Sequence, residues 1–116
     1  MDTKTQNEWG LMMIVIDVAK EFSKTPFGRY KSDSQFSAEA FRETLLIPNL
    51  EGTEEITIDF SKVSLGVGSS FLEEAFGGLV RHGYDHNRLL KRLKIIDRMG
   101  LYDEQVKSFI KLAGEA

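Results

Sequence analysis

Residues 55–80 read EITIDFSKVSLGVGSSFLEEAFGGLV, and this stretch decides the fold. Ile56, Ile58 and Phe60 alternate with Thr57 and Asp59, the period of a strand with one apolar face. Further on, Phe71, Leu72, Ala75, Phe76, Leu79 and Val80 recur at helical spacing and form one broad stripe. Between them runs a glycine-bearing loop, Gly66-Val67-Gly68, closed by Ser69-Ser70. Ser70 followed by Glu73 has the form of a capping box, so the sequence places Ser70 at the N-cap of the helix. A serine at the positive end of a helix, beside two glycines that admit close approach, is the first place to look for function.

Working outward, Leu11 to Val18 (LMMIVIDV) is apolar at nearly every position and predicts a strand covered on both faces. Pro26 and Gly28 in TPFGRY mark a turn, with a short strand expected over Arg29 to Lys31. Ser37 is a good N-cap for a helix ending near Leu46, with Ala38, Phe41 and Leu45 inward and Arg42 and Glu43 on the exposed face. Pro48 is expected to stop it. The pair Gly77-Gly78 predicts either close approach of another backbone or the end of the second helix. His82 to Asn87 reads as a loop, Leu93 to Ile96 as a strand, and Asp103 as the cap of a last helix bearing Val106, Phe109, Ile110 and Ala113. Trp9 is expected to anchor the entry to the first strand. Strands alternating with helices give an α/β fold with a mainly parallel sheet. The chain divides into a loose segment over residues 1–10 and a single domain over 11–116.

Composition narrows the function classes. The 116 residues are 41% hydrophobic and 28% charged, an ordinary globular balance. Without cysteine there is no disulfide framework, thiolate metal site or cysteine nucleophile. No apolar run reaches the length of a membrane span, which leads to the expectation of a cytoplasmic protein with no membrane partner. The formal net charge of −3 argues against a protein devoted to nucleic acid. Charge is uneven: between Arg81 and Arg98, six cations stand against Asp85 and Asp97, giving +4 and leaving −7 for the rest. A solvated surface guarding a strand edge is the simplest reading, a docking face for an acidic partner comes next, and nucleic acid comes last.

No metal site, cofactor site or catalytic set is expected. His82 and His86 are four apart but fall in a loop, and no third ligand accompanies them. The serines have no histidine placed beside them, and Glu73 and Glu74 are adjacent on one helix, so they do not face each other. The Gly66–Gly68 loop lacks the third glycine of a dinucleotide fingerprint and the Gly-Lys-Ser/Thr of a P-loop.

GRYKSDSQFSAEAFRETLLIPNL followed by ITIDFSKVSLGVGSSFLEEAFGGLV resembles the STAS-like family of unknown function, small bacterial domains related to anti-sigma factor antagonists. The resemblance spans roughly Ile14 to Ile96 and is most specific in SAEAFR (Ser37 to Arg42) and SSFLEEAFGG (Ser69 to Gly78). It implies a four- or five-stranded sheet flanked by helices. It also implies that Ser69-Ser70 matches the serine pair that a partner kinase of histidine-kinase-like ATPase fold phosphorylates in antagonists. Gly68 and Phe71 stand where antagonists carry an acidic residue and a glycine. The resemblance thus implies a regulatory protein-binding module, not an enzyme. Its phosphorylation candidates are Ser70 and Ser69, and its docking residues are Gly68, Ser69, Ser70, Phe71, Glu73 and Glu74. The alternative is a sensor holding a nucleotide or other anionic ligand at Gly66, Gly68, Ser69, Ser70 and Arg29.

Overall fold

The computed structural model describes residues 4–6, 12–52 and 54–116. Three parallel strands form the body of the sheet: β2 (Met12–Asp17), β3 (Glu55–Asp59) and β4 (Leu93–Ile96). A short strand β1 (Lys4–Gln6) pairs antiparallel with β2, giving the order β1-β2-β3-β4. The fold is α/β. Part of the segment expected to be loose is therefore a strand, while Trp9 and the rest of it lie outside the described residues.

Register explains the core. Ile14, Ile56 and Leu93 stand side by side across the three parallel strands, as do Ile16, Ile58 and Ile95, and all six are at most 5% exposed. Because side chains alternate along a strand, these six form one apolar face. The opposite face carries Val15, Thr57 and Lys94 in one row and Asp17, Asp59 and Ile96 in the next. Met13 and Val15 there are only half-buried, so the expectation that the first strand is fully covered on both sides is corrected.

The helices contribute Phe41, Leu46, Leu72, Phe76, Leu79, Val106 and Ile110 to the single core, each essentially inaccessible. Helix α1 (Val18–Glu21) is one turn capped by Asp17, and a long loop follows. Helix α2 spans 38–49, capped by the Ser37 hydroxyl, which accepts from the Ala40 amide at 3.2 Å. It runs past the stop expected at Leu46, because its middle turn, Arg42–Leu46, is a widened π turn. That turn ends just before Pro48, which then falls in the first positions of the last turn, where a missing N–H is tolerated. Helix α3 spans 69–81 and holds a second π turn at Glu73–Gly77.

The expected strand over Arg29–Lys31 is absent, and its hydrogen bonds show why. Gly28, at φ +87°, turns the chain so that the carbonyls of Gly28 and Arg29 accept from the Ala38 and Glu39 amides at the start of α2. The Tyr30 and Lys31 amides donate to the Asp33 and Glu39 carboxylates. The segment is bonded to a helix start instead of a neighbouring strand.

Residues 86–92 hold a helix where a loop was expected to run through Asn87. Asp85 accepts from the Asn87 amide and starts α4 (His86–Arg92), which buries Leu89. Seven residues are too few to show a clear period. The last helix, α5 (Tyr102–Glu115), is not capped by Asp103. Asp97 accepts instead from the Leu101 and Tyr102 amides, both at 2.9 Å. Asp103 reaches back to the Ile95 amide of the edge strand at 2.9 Å and to Lys107.

Phe41 is the hub of the aromatic packing, with Phe22, Phe60, Phe71 and Phe76 at centroid distances of 5.2, 5.8, 5.7 and 6.3 Å. Tyr102 meets Phe60 edge-on at 5.6 Å, and its hydroxyl accepts from the Val67 amide at 2.7 Å. That bond ties the 60–68 loop to α5. Tyr102→Phe leaves this partly buried amide without a partner, so a loss of about 1–3 kcal/mol in chemical denaturation is expected. Faster amide exchange at Val67 is expected with it.

Candidate functional site

The N-terminal half of α3 carries the residues singled out by sequence, and tertiary contacts redistribute their roles. The helix begins at Ser69 with Gly68 as N-cap (φ −73°, ψ 158°), and no side chain caps it. The expected capping box does not form. Two contacts account for this. The Tyr102 hydroxyl pins Val67, and the helix starts two residues earlier than the box requires, with Gly68 and not Ser70 as N-cap. Glu73 is drawn the other way, accepting from Arg81 at 2.6 Å and from Arg29 at 2.9 Å. Gly68, Ser69 and Ser70 are consequently exposed. Phe71, assigned to the docking face, is 2% exposed and packs on Phe41, so it is core.

Behind the serines lies an ion cluster that sequence reasoning missed. Arg42, expected on the outer face of α2, is 3% exposed. Its guanidinium donates to the Glu74 backbone carbonyl in a short contact and to the Glu74 carboxylate at 3.1 Å. Glu74 is itself 8% exposed and is no surface contact. Arg29, at the tip of the loop before α2, bridges Glu73 at 2.9 Å and Glu74 at 3.4 Å. Arg81, two turns along α3, completes the group, lying 3.7 Å from Glu74 as well as bonding Glu73. Three guanidinium groups thus meet two carboxylates. The Arg81 hydrogen bond, aided by Arg29, holds the Glu73 carboxyl below the ordinary glutamate range against the opposing effect of burial. Glu73 in turn raises both Arg29 and Arg81.

The local sequence makes room for this. A side chain at Gly78 would collide with the Arg42 guanidinium, and one at Gly77 would meet the Glu73 carboxylate. Gly78 thus admits a side chain of the neighbouring helix α2, a close approach but not of backbone, and Gly77 makes room for Glu73 of its own helix. Each partner of the buried pair also sits in a π turn, Arg42–Leu46 on one helix and Glu73–Gly77 on the other. Such turns loosen the regular ladder and are often kept at functional sites. Within this cluster Arg42 Nε is buried with no hydrogen-bond partner.

With this geometry the family can be stated. A family model described as a STAS-like domain of unknown function matches residues 37–98, just over half of the chain. The chain belongs to the STAS-like family. The match includes both segments that carried the resemblance, SAEAFR and SSFLEEAFGG, and therefore both halves of the Arg42–Glu74 pair. No curated protein and no solved structure matches.

The remaining candidates of the STAS-like domain are scattered. Gly66 lines a groove with Phe60, Val63, Arg98, Met99 and Tyr102, about 380 Å³ in volume. Arg29 faces Glu73 and Glu74. His82 sits 2.7 Å from the Gly78 carbonyl, and His86 lies 3.9 Å from Asp85. Among the described residues no three metal-ligating side chains converge, and no helix is long and apolar enough to cross a membrane. The basic stretch is more than a solvated surface. Arg92 donates to the carbonyls of Leu50 and Glu54, and Arg98 to that of Val63.

A signal for Arg42 existed in the sequence. An arginine directly after the buried Phe41, at a helix position matched by a Gly-Gly pair elsewhere, marks a large side chain meeting a place with none. It cannot be read without knowing that the helices touch.

Two stability measurements separate cap from cluster. Arg42→Met leaves Glu74 buried with weaker compensation, and a loss of about 3 kcal/mol is expected, with Glu74→Leu added to it recovering part. Ser70→Ala is expected to change stability by less than about 0.5 kcal/mol, as at an ordinary surface position. A true N-cap would lose about 1 kcal/mol.

Proposed function

We propose that this STAS-like domain is a regulatory protein-binding module that docks its partner through the exposed start of α3. The partner class is a histidine-kinase-like ATPase or another regulatory protein. Ser70, or Ser69 beside it, is the phosphorylation candidate. The step moves the terminal phosphoryl group of ATP to the serine Oγ, with the hydroxyl proton lost and ADP released. The domain itself acts by binding, in a soluble cytoplasmic setting.

One observation supports this reading above the rest. Ser69 and Ser70 are exposed at an uncapped helix N-terminus, while the two carboxylates one turn below are held by three arginines. Glu73 and Glu74 alone would repel a phosphate. Counted with Arg29, Arg42 and Arg81, the group carries a net charge of +1. A phosphate there meets free amides, the helix dipole and a cationic cluster. Added charge at this point changes what surface the helix end offers, which is how a phosphate exchanges partners without catalysis by the domain.

The anionic-ligand sensor has less support. Of its proposed residues, Gly66 lines the groove beside Tyr102, and Arg29 is already bonded to Glu73 and Glu74.

The test is intact-mass spectrometry after incubation with ATP and a histidine-kinase-like ATPase from the same gene neighbourhood. The expected result is a gain of one phosphoryl group that Ser70→Ala or Ser69→Ala abolishes. A stable complex without phosphate transfer would retain docking and remove the switch. Neither phosphate nor complex would overturn the proposal.

A further inference from the structure

Residue pattern and tertiary contacts give α3 two different starts. Ser70-x-x-Glu73 is a complete capping box, in which the Ser70 hydroxyl accepts from the Glu73 amide and the Glu73 carboxylate from the Ser70 amide. The helix instead begins two residues earlier, on Gly68, with no side chain at its end. That first turn is thinly bonded. The Leu72 amide reaches the Gly68 carbonyl at 3.2 Å, and the Glu73 amide is shared between the carbonyls of Ser69 and Ser70. A Cβ at Gly68 would meet nothing within 4 Å, so the chain has room to turn there.

One carboxylate decides between the two starts. Glu73 Oε1 accepts from Arg29 at 2.9 Å and Oε2 from Arg81 at 2.6 Å, so both oxygens are engaged away from the Ser70 amide. Neither bond is deeply buried: the side chains are 36% exposed at Arg29, 45% at Arg81 and 27% at Glu73. Ion pairs this open are of the same order as a serine cap, so the two starts lie close in free energy. Both starts keep Phe71 on Phe41 and Glu74 on Arg42, because those contacts lie inside the helix in each. The Tyr102 hydroxyl holds Val67, just before Gly68, and so limits the change to residues 68–70.

We infer that the hold of Arg29 and Arg81 on Glu73 is a gate on Ser70. While it lasts, the helix starts on Gly68 and the Ser70 hydroxyl is exposed. Once Glu73 is released, the Ser70–Glu73 box closes, the helix starts on Ser70, and the hydroxyl is withdrawn into the cap. Arg29 is the partner that can leave, since it stands on the loop before α2, whereas Arg81 shares the helix with Glu73. The two starts need no partner protein; the consequence for modification rests on the phosphorylation reading above.

The test follows Ser69 and Ser70 by carbon chemical shifts in the full chain. The unsubstituted chain is expected to show helical values at both. In the Arg29→Ala/Arg81→Ala double variant, Ser70 is expected to move to extended values while Phe71 and Leu72 stay helical. Glu73→Gln serves as the second variant, because it weakens the hold of both arginines yet keeps a side chain that forms the box. It is expected to move Ser70 in the same direction. Thermal melts give an independent readout. Ser70→Ala is expected to shift the melting temperature of the unsubstituted chain by less than about 2 °C and to lower that of the double variant by about 4 °C. A helical Ser70 in both variants, or an equal effect of Ser70→Ala in both backgrounds, would overturn the two starts.

The gate is then read with the ATPase and ATP, by mass spectrometry at Ser70. Phosphorylation is expected to be about threefold slower or more in the double variant, in proportion to the open fraction that remains. Glu73→Gln is expected to slow it too, and because it keeps both arginines, loss of a docking contact at Arg29 or Arg81 does not account for that result. Undiminished rates in chains whose helix start has moved would overturn the gate. If the unsubstituted chain takes no phosphate, the serine reading fails and the gate with it, while the shifts and melts still decide the two starts.

Discussion

The buried contact between Arg42 and Glu74 is the constraint around which helices α2 and α3 are arranged. Taking a guanidinium and a carboxylate out of water is costly, and a pair survives burial only with close geometry and further hydrogen bonds. Here Arg42 bonds both the side chain and the backbone carbonyl of Glu74. That demands a gap in the facing helix, supplied by Gly78, and a departure from regular winding, seen in the π turns on both sides. Phe41, the residue before Arg42, is the centre of the aromatic core. The charged pair and the core hub are consecutive, so register at one fixes the other.

From this contact the geometry of the exposed end follows. Arg29 arrives at the cluster because Gly28 turns the loop onto the start of α2, and it takes Glu73 and Glu74 as partners. With Arg81 it removes Glu73 from any role in capping α3. The helix is left with an unguarded positive end bearing two exposed serines. An arrangement that stabilises the interior thereby leaves the surface open, and the two effects share the same carboxylate.

The sheet shows a comparable division. Six aliphatic side chains in register make one buried face, and the other stays partly open, with the helices packed on the first. The carboxyl ends of the strands carry the loops, and the loops carry most of the exposed apolar side chains. At the edge strand, Asp103 bonds the Ile95 amide, satisfying a donor that would otherwise be available to another chain.

The α/β class, the three parallel strands and the inward stripes of α3 and α5 were legible in the residue pattern, because period 2 and period 3.6 are local properties of apolar spacing. The Ser37 cap was legible for the same reason: its acceptor and donor are three residues apart. Where sequence reasoning failed, the deciding partner was distant in the chain. Arg42 read as surface because Glu74 is 32 residues away. Ser70 read as a cap because nothing local shows that Tyr102 pins Val67 or that Arg29 and Arg81 claim Glu73. Asp103 read as a cap because the Ile95 amide it serves belongs to a strand. A charged side chain has several acceptable partners near in sequence and many more in space. Only the tertiary structure decides among them, by which of them burial brings within hydrogen-bond distance.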